Sequence, residues 1–143
     1  LTTEGGLNCI GREGELSAFL APLLERDIAA SLFIDADPAQ ITAASQTGAQ
    51  FIELHTGHYA DARTPAERQA ELDKILAGIR LAQGVGLKVN LGHGLNYVNV
   101  LPFAQVPGIV EYSIGHSIMA RAIYTGIRQA TRDMVDILRG FAD

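Results

Sequence analysis

The chain is 143 residues long and 48% hydrophobic, enough for one domain with a buried core, and its 15 Gly and 5 Pro signal neither disorder nor a fibrous repeat. Sixteen acidic against 11 basic residues leave a formal charge of -5, which speaks against a broad nucleic-acid surface but leaves room for a small phosphate pocket. Cys9 stands alone, excluding an internal disulfide or a thiolate metal cluster, and no apolar run approaches the roughly 18 residues of a membrane span.

The opening stretch, Leu1-Thr2-Thr3-Glu4-Gly5-Gly6, reads as a loop, and the expectation is that the numbering begins inside a longer protein. The spacing of Leu16, Phe19, Leu20, Leu23 and Leu24 predicts a helix over 15–26, with Pro22 as its weak point. Residues 31–34 are an apolar run of strand length ending at Asp35. Asp37, Pro38 and Gln40 then supply an N-cap acid, a proline at the first helical position and Gln at the third, opening a helix that runs to Gln46 and closes at Gly48. A second strand follows over 50–54. Thr64 and Glu67 form a capping box for a long helix with Leu72, Ile75, Leu76, Ile79 and Ala82 on one face, stopping near Gly84 or Gly86. A third strand, 87–91, delivers Gly92-His93-Gly94-Leu95. A short helical piece over 98–105 breaks at Pro107-Gly108, and a fourth strand, 109–114, runs into Gly115-His116-Ser117. The last helix is predicted over 124–141, with Ile127, Thr131, Met134, Leu138 and Phe141 on one face.

Four short apolar strands alternating with helices are a βα pattern, hence an α/β fold around a parallel sheet. A doubly wound sheet would show a G-x-G-x-x-G turn after an early strand, and this chain has none. Its glycine turns follow the last two strands instead, where a (β/α)8 TIM barrel builds its phosphate site. Counting back makes these strands five to eight, so 1–143 read as the C-terminal half of one barrel domain.

Polar groups gather where each strand ends: Asp35, Glu53 with His55, Asn90 with His93, and Ser113 with His116. On a parallel barrel those positions share the face that carries active sites. Glu53 sits in a buried apolar strand, where a carboxylate needs a partner; it either forms an ion pair with Lys88 on the adjoining strand or serves catalysis. His93, between two glycines, offers an imidazole for proton transfer beside exposed amides. Gly115-His116-Ser117 opens a helix whose amides and dipole favour phosphate, with an incidental cap by Ser117 as the plainer reading. His55 and His58 are three apart, but no compact third and fourth ligands follow, and the glycine context suits oxyanions better than a metal cage; no metal is assigned, with a divalent ion left as the alternative. Arg121, Arg128, Arg132 and Arg139 make a helical stripe read as a solvated or subunit-facing surface.

The stretches Thr2-Thr3-Glu4-Gly5-Gly6-Leu7, Ser31-Leu32-Phe33-Ile34-Asp35-Ala36, Phe51-Ile52-Glu53-Leu54-His55-Thr56-Gly57, Leu87-Lys88-Val89-Asn90-Leu91-Gly92-His93-Gly94-Leu95, Tyr59-Ala60-Asp61-Ala62 and Ile114-Gly115-His116 together resemble the pyridoxine 5'-phosphate synthase family. The resemblance runs the whole chain. It implies condensation of 1-deoxy-D-xylulose 5-phosphate with 3-amino-2-oxopropyl phosphate to pyridoxine 5'-phosphate, phosphate and water. It also implies a (β/α)8 barrel, a homo-octamer, a cytoplasmic location (which a free Cys9 fits) and no organic cofactor. By the resemblance, His93 corresponds to a proton-donating histidine and Glu53 to a carboxylate that stabilises the transition state. Thr2, Gly94, Gly115 and His116 correspond to substrate-binding positions, the last three around the product phosphate. His58 stands where a relative has cysteine, and Asn96 where the family has threonine. The family's other catalytic histidine and glutamate, and further substrate-holding residues, belong to the first half of the barrel, so the 143 residues alone are expected to be inactive. Two alternatives remain open. One is another phosphate-handling barrel, an isomerase or an aldolase, the latter with Lys88 as a Schiff base. The other is a phosphate-binding module without catalysis.

Overall fold

Residues 5–142 are described by a computed structural model. Asp37 caps α2 (Pro38–Ser45) by accepting from the Ala39 and Gln40 amides, and Thr64 and Glu67 close a reciprocal capping box on α4 (Pro65–Gly84). Each cap satisfies amides that the helix itself leaves without partners. The strands are β1 (Ser31–Ile34), β2 (Phe51–His55), β3 (Lys88–Gly92) and β4 (Ile109–Ser113), all parallel and lying side by side in chain order. Leu32, Ile52 and Val89 are in register, as are Ile34, Leu54 and Leu91, forming two buried apolar rows. Ile41 of α2 and Ile75, Ile79 and Ala82 of α4 belong to the same core. Alternation turns the intervening residues, Phe33, Glu53 and Asn90, then His55 and Gly92, to the opposite face.

The register shifts between Val89 and Asn90, where β4 carries one extra residue, Val110, between Ile109 and Glu111. Such a bulge bends a strand and re-aims the side chains beyond it. Here it sets Ser113 opposite Gly92, on the face that carries Glu53.

Several expected boundaries move. The first helix, α1, spans Glu13–Leu24 with Pro22 in its last turn; Leu16 and Leu20 are buried, while Phe19 is exposed. A short helix that was not anticipated, α3 (Gly57–Asp61), follows β2 and buries Tyr59. The piece expected over 98–105 is a single 3-10 turn, Leu101–Phe103. The helix expected over 124–141 is the shorter α6 (Ile127–Leu138), and the helix opened at Gly115-His116-Ser117 is α5 (His116–Thr125); Gly126, whose φ of +78° leaves the helical region, separates them. That break also splits the arginine stripe. Arg121, on α5, pairs with Asp133 on α6 and lies over the Tyr97 ring, whereas Arg128, Arg132 and Arg139 line a shallow groove on α6. Among the described residues no helix is long and apolar enough to cross a membrane.

Candidate active site

At the carboxyl ends of the strands lies a cavity of about 560 Å³ whose lining includes Glu53, His93, Gly94, Ser113, Gly115 and His116. Five of the six residues singled out as site residues are therefore brought together. The sixth, Thr2, lies outside the described residues.

Glu53 is held across the sheet. Its carboxylate passes over Gly92, where an added Cβ would collide with Oε1, and its Oε2 accepts a hydrogen bond of 2.6 Å from the Ser113 hydroxyl. The bulge in β4 makes that bond reachable. The alternative of an ion pair with Lys88 is not realised: Lys88 is in register with Phe51 and its ammonium stands 5.0 Å from that ring's centroid. Lys88 begins β3 and Gly92 ends it, so strand rise separates them by about 13 Å. That distance puts Lys88 at the wrong end of the sheet for Schiff-base chemistry in this cavity.

His93 is exposed and has a left-handed backbone, φ +78°, followed by Gly94 at φ +76°. Asn99 braces this loop. Its side-chain amide donates to the Gly94 carbonyl at 3.0 Å, its Oδ1 accepts from the Asn96 amide at 2.6 Å, and its own carbonyl accepts from the Tyr59 hydroxyl at 2.7 Å. Burial raises the Tyr59 pKa, which keeps that phenol a donor. The β4 side is looser. Gly115 precedes α5 without a side-chain cap, and a Cβ there would meet nothing within 4 Å. Ser117 is not the cap; it lies inside α5 and donates to the Leu95 carbonyl at 2.9 Å, tying the two loops together.

Beside this cavity the fold supplies what the histidine spacing lacked. Asp35, at the end of β1, lies 2.9 Å from Nδ1 of His55, and with His58 these ligand atoms fall within 4.8 Å of one another. Nδ1 is thus engaged by a carboxylate. Nε2 is buried against Gly57, where even a Cβ would collide with it, so that side of the ring gives a cation no approach. The His55 ring meets the His93 ring edge-on, centroids 5.0 Å apart. The arrangement reads as a carboxylate-fixed imidazole supporting His93. Asn99 and Thr56 escaped the sequence reading, since Asn99 lies seven residues beyond β3 and Thr56, though next to His55, is an uncharged residue outside the alternation of β2. The Gly-flanked loop they brace was the available clue.

A parallel α/β sheet with a carboxylate, an imidazole and a helix N-terminus converging on a strand-end cavity defines a small-molecule site of the kind α/β proteins carry at strand carboxyl ends. The family model described as pyridoxal phosphate biosynthesis protein PdxJ matches residues 1–140, and the chain belongs to that family. A protein of Maridesulfovibrio salexigens named pyridoxine 5'-phosphate synthase is 66% identical over 143 residues, which is 100% of this chain and 59% of that protein. Proteins of the same name from Solidesulfovibrio magneticus and Photobacterium profundum are 58% identical over 143 residues and 52% over 134, covering 100% and 94% of this chain and 59% and 55% of theirs. The chain thus spans a little over half the length of these relatives.

Proposed function

We propose that the chain is the C-terminal half of a (β/α)8 barrel, strands five to eight, and that the complete protein is a pyridoxine 5'-phosphate synthase. It would condense 1-deoxy-D-xylulose 5-phosphate with 3-amino-2-oxopropyl phosphate in vitamin B6 biosynthesis. One observation carries this reading: a single cavity at the strand ends is lined by Glu53, His93, Gly94, Gly115 and His116. Strand order supports the barrel, because β1 to β4 run in sequence without the reversal of a doubly wound sheet. The segment before α1 also lies along β1, the Leu7 amide donating to the Phe33 carbonyl at 2.7 Å. Thr2 enters as a substrate-binding residue on the family assignment alone.

In this reading the α5 amides and Gly115 receive the phosphate, and His93 donates protons as water and phosphate leave. Glu53, held by Ser113, stabilises the positive charge that develops at the condensing carbon and nitrogen. The family assignment further implies a cytoplasmic homo-octamer with no organic cofactor. The isolated 143 residues are inactive, because half of the substrate-holding groups lie elsewhere.

The test is His93→Asn in the full-length protein. Asparagine keeps a hydrogen bond but cannot donate a proton as a general acid. We expect kcat to fall by roughly 10²–10⁴ with KM within a few fold. A normal kcat at saturating concentrations of both substrates removes His93 from catalysis and favours the phosphate-binding module.

A further inference from the structure

His93 is a non-glycine residue in a left-handed conformation, which costs about 1–2 kcal/mol and persists only where its surroundings impose it. The carbonyls on either side of it are held by Thr56, the residue after β2, which has no exposed surface. Its hydroxyl donates toward two carbonyls, Gly92 at 2.7 Å and His93 at 2.5 Å, and its backbone amide donates to the Gly92 carbonyl at 2.8 Å. The peptide groups on both sides of the His93 Cα are therefore anchored on one buried residue. The neighbouring Gly57 completes the fit from above. A Cβ there would stand 2.9 Å from Cδ2 of His93 and collide with the His55 ring.

We infer that Thr56 is a positioning residue for His93. Its hydroxyl holds the loop in the left-handed turn that aims the imidazole over the cavity, and Gly57 leaves the ring its place. A methyl in place of the hydroxyl keeps the shape of the side chain and leaves the His93 carbonyl without its donor. The loop can then relax toward an ordinary backbone conformation, carrying the ring with it. A misplacement on the order of 1 Å can cost about 100-fold in rate. This role rests on His93 acting in catalysis, as proposed above.

The experiment is a cycle in the full-length protein: Thr56→Val, Thr56→Ser, His93→Asn and the Thr56→Val/His93→Asn double variant, with kcat, KM and thermal unfolding for each. Thr56→Val should lower kcat by about 10–100-fold with KM within about threefold, while Thr56→Ser, which keeps the hydroxyl, should stay within about threefold of the parent. In the His93→Asn background Thr56→Val should cost no further rate, because there is no longer an imidazole to aim. Equal losses from Thr56→Val in both backgrounds overturn the positioning role, as does an unchanged kcat in the single variant. A normal kcat in His93→Asn instead overturns the catalytic reading of His93 and the positioning role that rests on it. Should Thr56→Val fail to fold, Thr56→Ala carries the same comparison.

Discussion

The two glycine turns at the mouth of the cavity look alike in sequence and are opposites in structure. In the turn after β3, glycine is demanded by the protein itself. Gly92 has no room for a Cβ beside the Glu53 carboxylate, and Gly94 combines φ +76° with a Cβ position 2.5 Å from that of Ala60. After β4, Gly115 has φ -123°, which other residues tolerate, and its missing Cβ faces open space. One turn is filled by its own neighbours and the other is left clear. Packing therefore requires glycine in the first turn, whereas in the second the space beside Gly115 opens onto the cavity.

The contrast can be broken at four points, each in the full-length protein. The largest effect is expected from Gly92→Ala, whose methyl must displace the Glu53 carboxylate or the strand; overpacking of this kind costs about 1–3 kcal/mol. Its thermal unfolding should drop and its turnover collapse, and an unchanged melting temperature would contradict the packing at Gly92. Gly94→Ala meets both the left-handed strain and the Ala60 methyl, for a loss of about 1–3 kcal/mol readable by denaturant unfolding.

Tyr112, on β4 and packed edge-on against Phe141, tests the other side by pH. Burial pushes its phenol up to about 12, whereas the unfolded phenol ionises near 10. The unfolded state therefore loses its proton first. The Tyr112 contribution is whole below about pH 10 and is lost as pH rises through about 12. Tyr112→Phe should flatten that part of the alkaline stability curve, and an identical slope in both proteins would refute the assignment. The smallest stability effect belongs to Gly115→Ala, expected within about 0.5 kcal/mol. The same change should weaken phosphorylated substrates far more than dephosphorylated analogues. Equal weakening of both, or a large loss of stability, would show that the second turn is no clearer than the first.

Much of this molecule was legible in its one-dimensional order because it depends on local physics. Caps at Asp37 and Thr64, short apolar strands and the glycine turns are set by residues within a few positions of one another, and all four strands fall where the pattern puts them. The polar strand ends were legible for the same reason, since alternation alone turns Glu53 and His55 to one face. Other features had no local cause. The extra residue in β4 shows only against β3, and it sets Ser113 where Glu53, 60 residues away, meets it; the β2–β3 register, which puts Lys88 beside Phe51, keeps Lys88 from Glu53. A long helix pattern through 124–141 overrode the glycine at 126, because periodicity sums over many residues while a single left-handed φ acts at one. The grip of Thr56 on the His93 carbonyl, 37 residues apart, and the approach of Asp35 to His55 exist only once the strands are laid side by side. Sequence determined which chemical groups stand at the strand ends; tertiary packing decided which of them touch, because those contacts are made across the sheet and not along the chain.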